Sequence, residues 1–379
     1  MPRVRVLMQG RVDNGSVLKT IALPVLANAG QISGVSLGID QLSALESLSA
    51  PMLASTPGGI AIRNNGTDPS AGPLKIVLGP ITSASSLEIA NNPHLQNIEA
   101  FSGLASVTWN IAIYGNEPLV AVNFPHLTSV GGSVSVKDQP DVAKIALPEL
   151  TLVRQSVGKS LEFATMWRVT SISVPKLTST PAGIIFYQVG STQLPGDDPL
   201  VFDFRSLGSI GGPLDLNDLL GLVTLDGFPR LANIGGYFSL TSLFNLQSLP
   251  FPALATVTGN VVMVHVDAAT EITLPALSRV SGGLLFDNNL AVTAIGLPFS
   301  RRSDKIRTTR YVARSCPCSA PFRRLAWCRR RRRSSLPAPE RTYPRRQLRR
   351  STLHRSRRSV DRSFSRPCRA SRRLPDSPL

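Results

Sequence analysis

Eleven short apolar–x–apolar cores recur along the chain: Leu37/Ile39, Ile60/Ile62, Leu87/Ile89, Ile111/Ile113, Val134/Val136, Leu161/Phe163, Ile184/Phe186, Leu214/Leu216, Phe238/Leu240, Val261/Met263 and Leu284/Phe286. Their first members are spaced by 23, 27, 24, 23, 27, 23, 30, 24, 23 and 23 residues. Period-two alternation over so few residues marks strands with one buried face. A nearly fixed period of this size means stacked coils, each completing the interior of its neighbour. Strands of successive coils then lie side by side about 4.8 Å apart, so eleven coils predict a rod of roughly 50 Å.

The residues between the cores repeat as well. An apolar-Pro-x-Leu phrase begins at Phe124-Pro125, Leu147-Pro148, Phe228-Pro229, Phe251-Pro252 and Leu274-Pro275, and its Pro costs no ladder bond at a coil corner. Gly pairs precede several cores (Gly58-Gly59, Gly131-Gly132, Gly211-Gly212, Gly235-Gly236, Gly282-Gly283), where positive φ at a tight corner is expected. Asn follows many cores (Asn64-Asn65, Asn91-Asn92, Asn116, Asn217, Asn245, Asn288-Asn289). Stacked coil on coil, it is expected to satisfy turn amides. A second apolar pair (Leu95/Ile98, Leu119/Val122, Leu222/Leu225, Leu246/Leu249) predicts another wall. Residues 66–80 and Gly190 to Pro199 read as irregular loops, and Arg11-Val12-Asp13-Asn14 aligns with Leu285-Phe286-Asp287-Asn288 as the first partial coil.

Charge splits the chain in two. Residues 301–379 hold 26 Lys+Arg and 4 Asp+Glu, or +22, whereas residues 1–300 hold 15 and 20, or −5. The expected organisation is therefore a repeat solenoid over 1–299 and an Arg-rich, disordered tail over 300–379. Three readings of the tail stand side by side: a basic arm for nucleic acid or an anionic surface, a solvated linker, or translation of coding sequence in a wrong frame. All four cysteines (Cys316, Cys318, Cys328, Cys368) lie in the tail at no zinc spacing, so no disulfide is expected to staple the repeat region and no metal site is expected. Met1 to Gly10 lacks the apolar run of a leader, no run of about 18 apolar residues predicts a spanning helix, and no apolar anchor signal closes the chain.

The stretches Phe124–Val136, Phe228–Leu240 and Leu274–Phe286 resemble the leucine-rich repeat of receptor L-domains, the right-handed parallel β-helix-like coils of insulin- and growth-factor-receptor ectodomains. The resemblance covers roughly residues 10–298. Without the flanking cysteines of the receptors, the chain is closest in style to cysteine-poor, lipid-anchored fungal cell-wall proteins. What the resemblance implies is an extracellular or cell-surface, non-catalytic recognition or scaffold module. Its partner would be a protein or glycan, it would need no cofactor, and membrane association would come only through an anchor.

No catalytic set is legible. His94, His126, His265 and His354 occupy unlike settings, and Gly158-Lys159-Ser160 reads as a corner because a phosphate loop needs a leading Gly and a following helix. A polysaccharide-active enzyme on a β-helix is the rival class, and its best acidic cluster is Asp197, Asp198, Asp203, Asp215 and Asp218. A nucleic-acid binder acting through the tail is the third. Trp109 and Tyr237, just before cores, and Tyr114 and Tyr187, after cores in outward phase, are the candidate surface contacts. Asn14-Gly15-Ser16 and Asn65-Gly66-Thr67 are candidate glycosylation acceptors in turns.

Overall fold

The computed structural model describes residues 6–9, 17–30, 34–190, 198–298 and 311–314. The chain divides into two units, Met1–Ser319 and Ala320–Leu379, and the second lies wholly outside the described residues. The first is a β-solenoid built on a 13-stranded parallel sheet whose spatial order is chain order, from Val6–Gln9 to Tyr311–Arg314. All eleven apolar cores occupy this long sheet in matching register. Leu37 lies beside Ile60, Ile60 beside Leu87, Ile111 beside Val134, Ile184 beside Leu214, and Val261 beside Leu284. Their side chains meet in one continuous buried interior.

Both ends differ from expectation. The first strand is Val6–Gln9, with Val6 opposite Leu37 and Met8 opposite Ile39; Arg11–Asn14 falls outside the described residues. At the other end Tyr311–Arg314, inside the basic segment expected to be unstructured from residue 300, pairs parallel with Leu284–Asp287. Tyr-Val-Ala has the aromatic and β-branched character that continues a ladder, and the Arg runs further on do not. The remainder of that segment lies outside the described residues.

The second wall carries Thr20–Ala22, Ser47–Ala50 and Lys75–Leu78, then Ala121–Asn123, Lys144–Ala146, Ser171–Ser173 and Val201–Asp203, and finally Glu271–Thr273 and Ala294–Gly296. It buries Leu48, Val122, Ile145, Ile172 and Phe202. Residues 66–80 are thus not irregular throughout, because Lys75–Leu78 joins this wall. A third wall consists of nine two-residue strands: Ser83–Ala84, Ser106–Val107, Ser129–Val130, Leu152–Val153, Ser179–Thr180, Ser209–Ile210, Asn233–Ile234, Thr256–Val257 and Arg279–Val280. Only the second residue of each points inward. The apolar corner residues stack too, with the Phe204 and Phe228 rings 5.0 Å apart and nearly parallel, and Phe251 following Phe228 at 6.2 Å.

Left-handed backbone falls four residues after the first member of every core: Gln41, Asn64, Asn91, Gly115, Asp138, Thr165, Gln188, Asp218, Ser242, His265 and Asn288, with φ between 51° and 65°. The Gly pairs do not have it, so their expected role is corrected. A Cβ on Gly131 would run into the Thr108 carbonyl oxygen, one on Gly211 into that of Pro181, and one on Gly235 into that of Gly211. Close stacking of backbones, not positive φ, demands glycine there.

The residue after each left-handed position turns inward, and here the expected asparagine ladder forms. Asn65 and Asn92 donate backbone N–H groups to the side-chain oxygens of Asn92 and Asn116, both at 3.1 Å. Their Nδ2 groups, with that of Asn116, donate to the carbonyls of Ile39, Ile62 and Ile89 on the preceding coil at 3.0 Å. The next coil places Gln139 in the same position, fully buried, and neither its Oε1 nor its Nε2 has a partner. A buried amide left unpaired costs about 1–3 kcal/mol. Gln139→Asn is therefore expected to extend the ladder and raise the unfolding free energy by about 1–2 kcal/mol, while Asn92→Ala lowers it by about 2–3 kcal/mol. Urea unfolding followed by far-UV circular dichroism measures both; a destabilised Gln139→Asn would contradict the ladder account.

Candidate functional site

On the long sheet the residue after each of the two core members points away from the interior. Over the first coils they form one network. Arg63 bridges Asp40 at 3.2 Å and Glu88 at 3.4 Å, and the Tyr114 hydroxyl donates to Glu88 at 2.8 Å, so four successive coils are linked. Further along, Glu162 accepts from the Ser135 hydroxyl at 3.0 Å and pairs with the Lys159 and Lys137 ammonium groups. Burial pushes the Glu162 carboxyl up, but Lys159 and Ser135 outweigh it and hold the group below the usual range. The Tyr237 hydroxyl donates to Asp215 at 3.2 Å.

The four aromatic candidates all lie on this sheet or at its margins. Tyr114 and Tyr187 take the same strand position three coils apart, about 14 Å, on one margin. Trp109 and Tyr237 precede their strands and lie on the other. Trp109 is 64% exposed, Tyr187 43% and Tyr237 40%; Tyr114 is half-buried. They outline a panel about 24 Å along the axis and about 13 Å across, floored by Ser135, Lys137, Glu162, Ile185 and Asp215. Tyr114 and Tyr237 are tied by their carboxylates. The Tyr187 hydroxyl and the Trp109 indole have no hydrogen-bond partner among the described residues. The panel offers two anchored and two free rings on a stiff ladder, suited to contact with a broad partner.

The other candidates disperse. Asp203 sits on the second wall, where the Arg205 fork at 2.8 Å holds its carboxyl below the usual range. Asp215 faces outward on the long sheet, and Asp218, in its left-handed turn, accepts from Gln188 at 3.1 Å. Asp197 lies outside the described residues. The acids neighbouring in sequence thus occupy different faces, and none of the described carboxylates with a displaced pKa is pushed upward. Among the described residues no group of three His, Cys, Asp or Glu could hold a metal ion, and no helix is long and apolar enough to cross a membrane. Gly158-Lys159-Ser160 enters a strand, with the Ser160 hydroxyl bound to the Gln155 carbonyl.

Asn65 is corrected as a glycosylation acceptor. The nitrogen that would carry the sugar is fully buried and donates to Ile39 and Asn92, and its oxygen accepts from Leu42 N–H at 3.2 Å. Asn14 lies outside the described residues. Sequence reasoning missed the Arg63–Glu88 pairing, although a basic and an acidic residue one coil apart were legible as such.

Burial, and after it the Asp215 carboxylate, raises the Tyr237 phenol above its ordinary range; the hydrogen bond to Glu88, with burial, does the same for Tyr114. Alkaline titration at 295 nm is expected to show both ionising later than a free tyrosine. Asp215→Asn should bring Tyr237 part of the way back and leave Tyr114 unmoved. An unchanged Tyr237 would remove Asp215 from the panel. No family model, no curated protein and no solved structure matches this chain.

Proposed function

We propose that the solenoid is a recognition and scaffold module of L-domain type, working at a cell surface or in a cell wall, that binds a protein or glycan through its outer surface without converting it. The observation that carries this reading is the aromatic-cornered panel of the long sheet. Two rings are fixed by carboxylates, two are free, and all are held at coil spacing by a continuous core. The separation of Asp203 on the second wall from Asp215 on the long sheet supports binding over hydrolysis, because glycoside cleavage ordinarily uses two carboxyls facing one bond. The apolar-Pro-x-Leu phrase supports the L-domain assignment, and the extracellular setting follows from that resemblance alone.

Cosedimentation of the full chain with insoluble chitin, β-glucan and mannan tests the reading. Wild type is expected to bind at least one of the three. The double variant Trp109→Ala/Tyr187→Ala should bind at least tenfold more weakly at unchanged melting temperature, since each exposed anchor is worth about 1–2 kcal/mol. Equal binding by the variant, or release of reducing ends from the bound polymer, would overturn it.

A further inference from the structure

The third wall differs from the other two in charge. Across its nine strands, counting the residue before each and the three after, there is no Asp or Glu, although the solenoid as a whole is acidic. Arg154 and Arg279 stand on this wall, both exposed and both without an ion-pair partner among the described residues. Elsewhere most cations pair with an acid, as Lys19, Arg63, Lys137, Lys159, Arg168, Lys176 and Arg205 do, while Lys75, Lys144 and Arg230 have no ion pair among the described residues.

A groove of about 620 Å³ runs along this wall over five successive coils, from Leu152–Arg154 to Thr256–Thr258. Its polar lining comes from Ser179, Ser209, Asn233 and Thr256, the outward residues of consecutive strands, so one neutral donor-acceptor group recurs at every coil step of about 4.8 Å. Gly211 and Gly235 keep the groove open, because stacking forbids them a side chain. At one end the coil is four residues longer than its neighbour (27 against 23), and Arg154 is the one charged side chain in the lining.

We propose that this groove binds an extended acidic polysaccharide, lying along the solenoid axis with a carboxylate on Arg154 and hydroxyls on the Ser/Asn/Thr row. The charge complementarity is local: a free guanidinium on an acid-free wall favours an anion, and a guanidinium fork matches a carboxylate. Spacing by coil selects a polymer with regularly repeated hydroxyls. A nucleic acid fits poorly, because the lining holds no aromatic ring for a base to stack on and too few cations to track a phosphate chain. This site is separate from the aromatic panel and does not depend on it.

The test uses the full chain and three probes: polygalacturonate, the neutral glucan laminarin and the oligonucleotide poly(dT). Hydrogen exchange reports on the groove itself, so polyanion binding by the basic tail does not confuse the reading. Polygalacturonate is expected to protect peptides covering 152–154, 179–181 and 209–211 and to leave those covering 111–114 and 184–187 unprotected. Arg154→Gln should weaken that protection about tenfold in probe concentration, and Ser209→Trp, which fills the groove, should abolish it. Arg168→Gln, equal in charge change but off the wall, should have no effect. The proposal fails if polygalacturonate gives no groove protection, if the Arg154 and Arg168 variants behave alike, or if laminarin or poly(dT) protects the groove as well as polygalacturonate does. Loss of panel binding in the Trp109→Ala/Tyr187→Ala variant with groove protection intact would separate the two sites.

Discussion

The structure depends on backbones stacking in register, one coil on the next. Once that register is set, a side chain's nearest neighbours lie about one period away in sequence. Lys19 meets Glu46, Arg63 meets Glu88, and Lys176 meets Glu149, at separations of 25 to 27 residues. The same rule holds inside, where the residues opposing Leu214 are Ile184 and Phe238. It also restricts shape at the corners: where two backbones approach as closely as Gly131 and Thr108 do, no side chain can stand between them. A chain of this kind is a one-dimensional array, its stability carried by contacts between neighbours.

The long sheet was legible because each of its strands spends two apolar residues at period two, and eleven repetitions leave little room for another register. The third wall was not legible, since each strand contributes a single inward residue, such as Val107 or Ile210, and one residue has no period. The left-handed ladder was only partly legible: asparagine announced it at Asn64, Asn91 and Asn288, but Thr165, Gln188 and Ser242 hold the same backbone without any such sign. The Asn65 sequon misled because the tripeptide says nothing about which way the amide points. The acidic cluster misled because proximity along the chain is not proximity on a solenoid: Asp203 and Asp215 are twelve residues apart and on different walls.

Three walls with different polar chemistry follow from three different local patterns. On the long sheet, several outward positions hold charges and a tyrosine that pair across coils, as Asp40, Arg63, Glu88 and Tyr114 do. On the third wall the outward residue precedes a corner that needs glycine, and it is small and neutral in most coils. Functional reading therefore belongs to whole faces: a rigid face presents its groups already ordered, so less entropy is lost when a partner of matching spacing arrives.

The inner rung one residue past the left-handed turn shows how strictly side-chain length is read. Through the chain it is Leu42, Asn65, Asn92, Asn116, Gln139, Met166, Val189, Leu219, Leu243, Val266 and Asn289. Gln139 stands where amides give way to apolar residues, so its lack of a partner could be laid to the boundary. Asn289 argues otherwise. It stacks on Val266, with no amide on that side, yet its oxygen accepts from the Val266 N–H at 2.8 Å and its nitrogen donates to the Met263 carbonyl at 3.0 Å. An asparagine on this rung needs only the backbone of the preceding coil. What separates Gln139 from it is one methylene, which carries the amide past the groups it would bond.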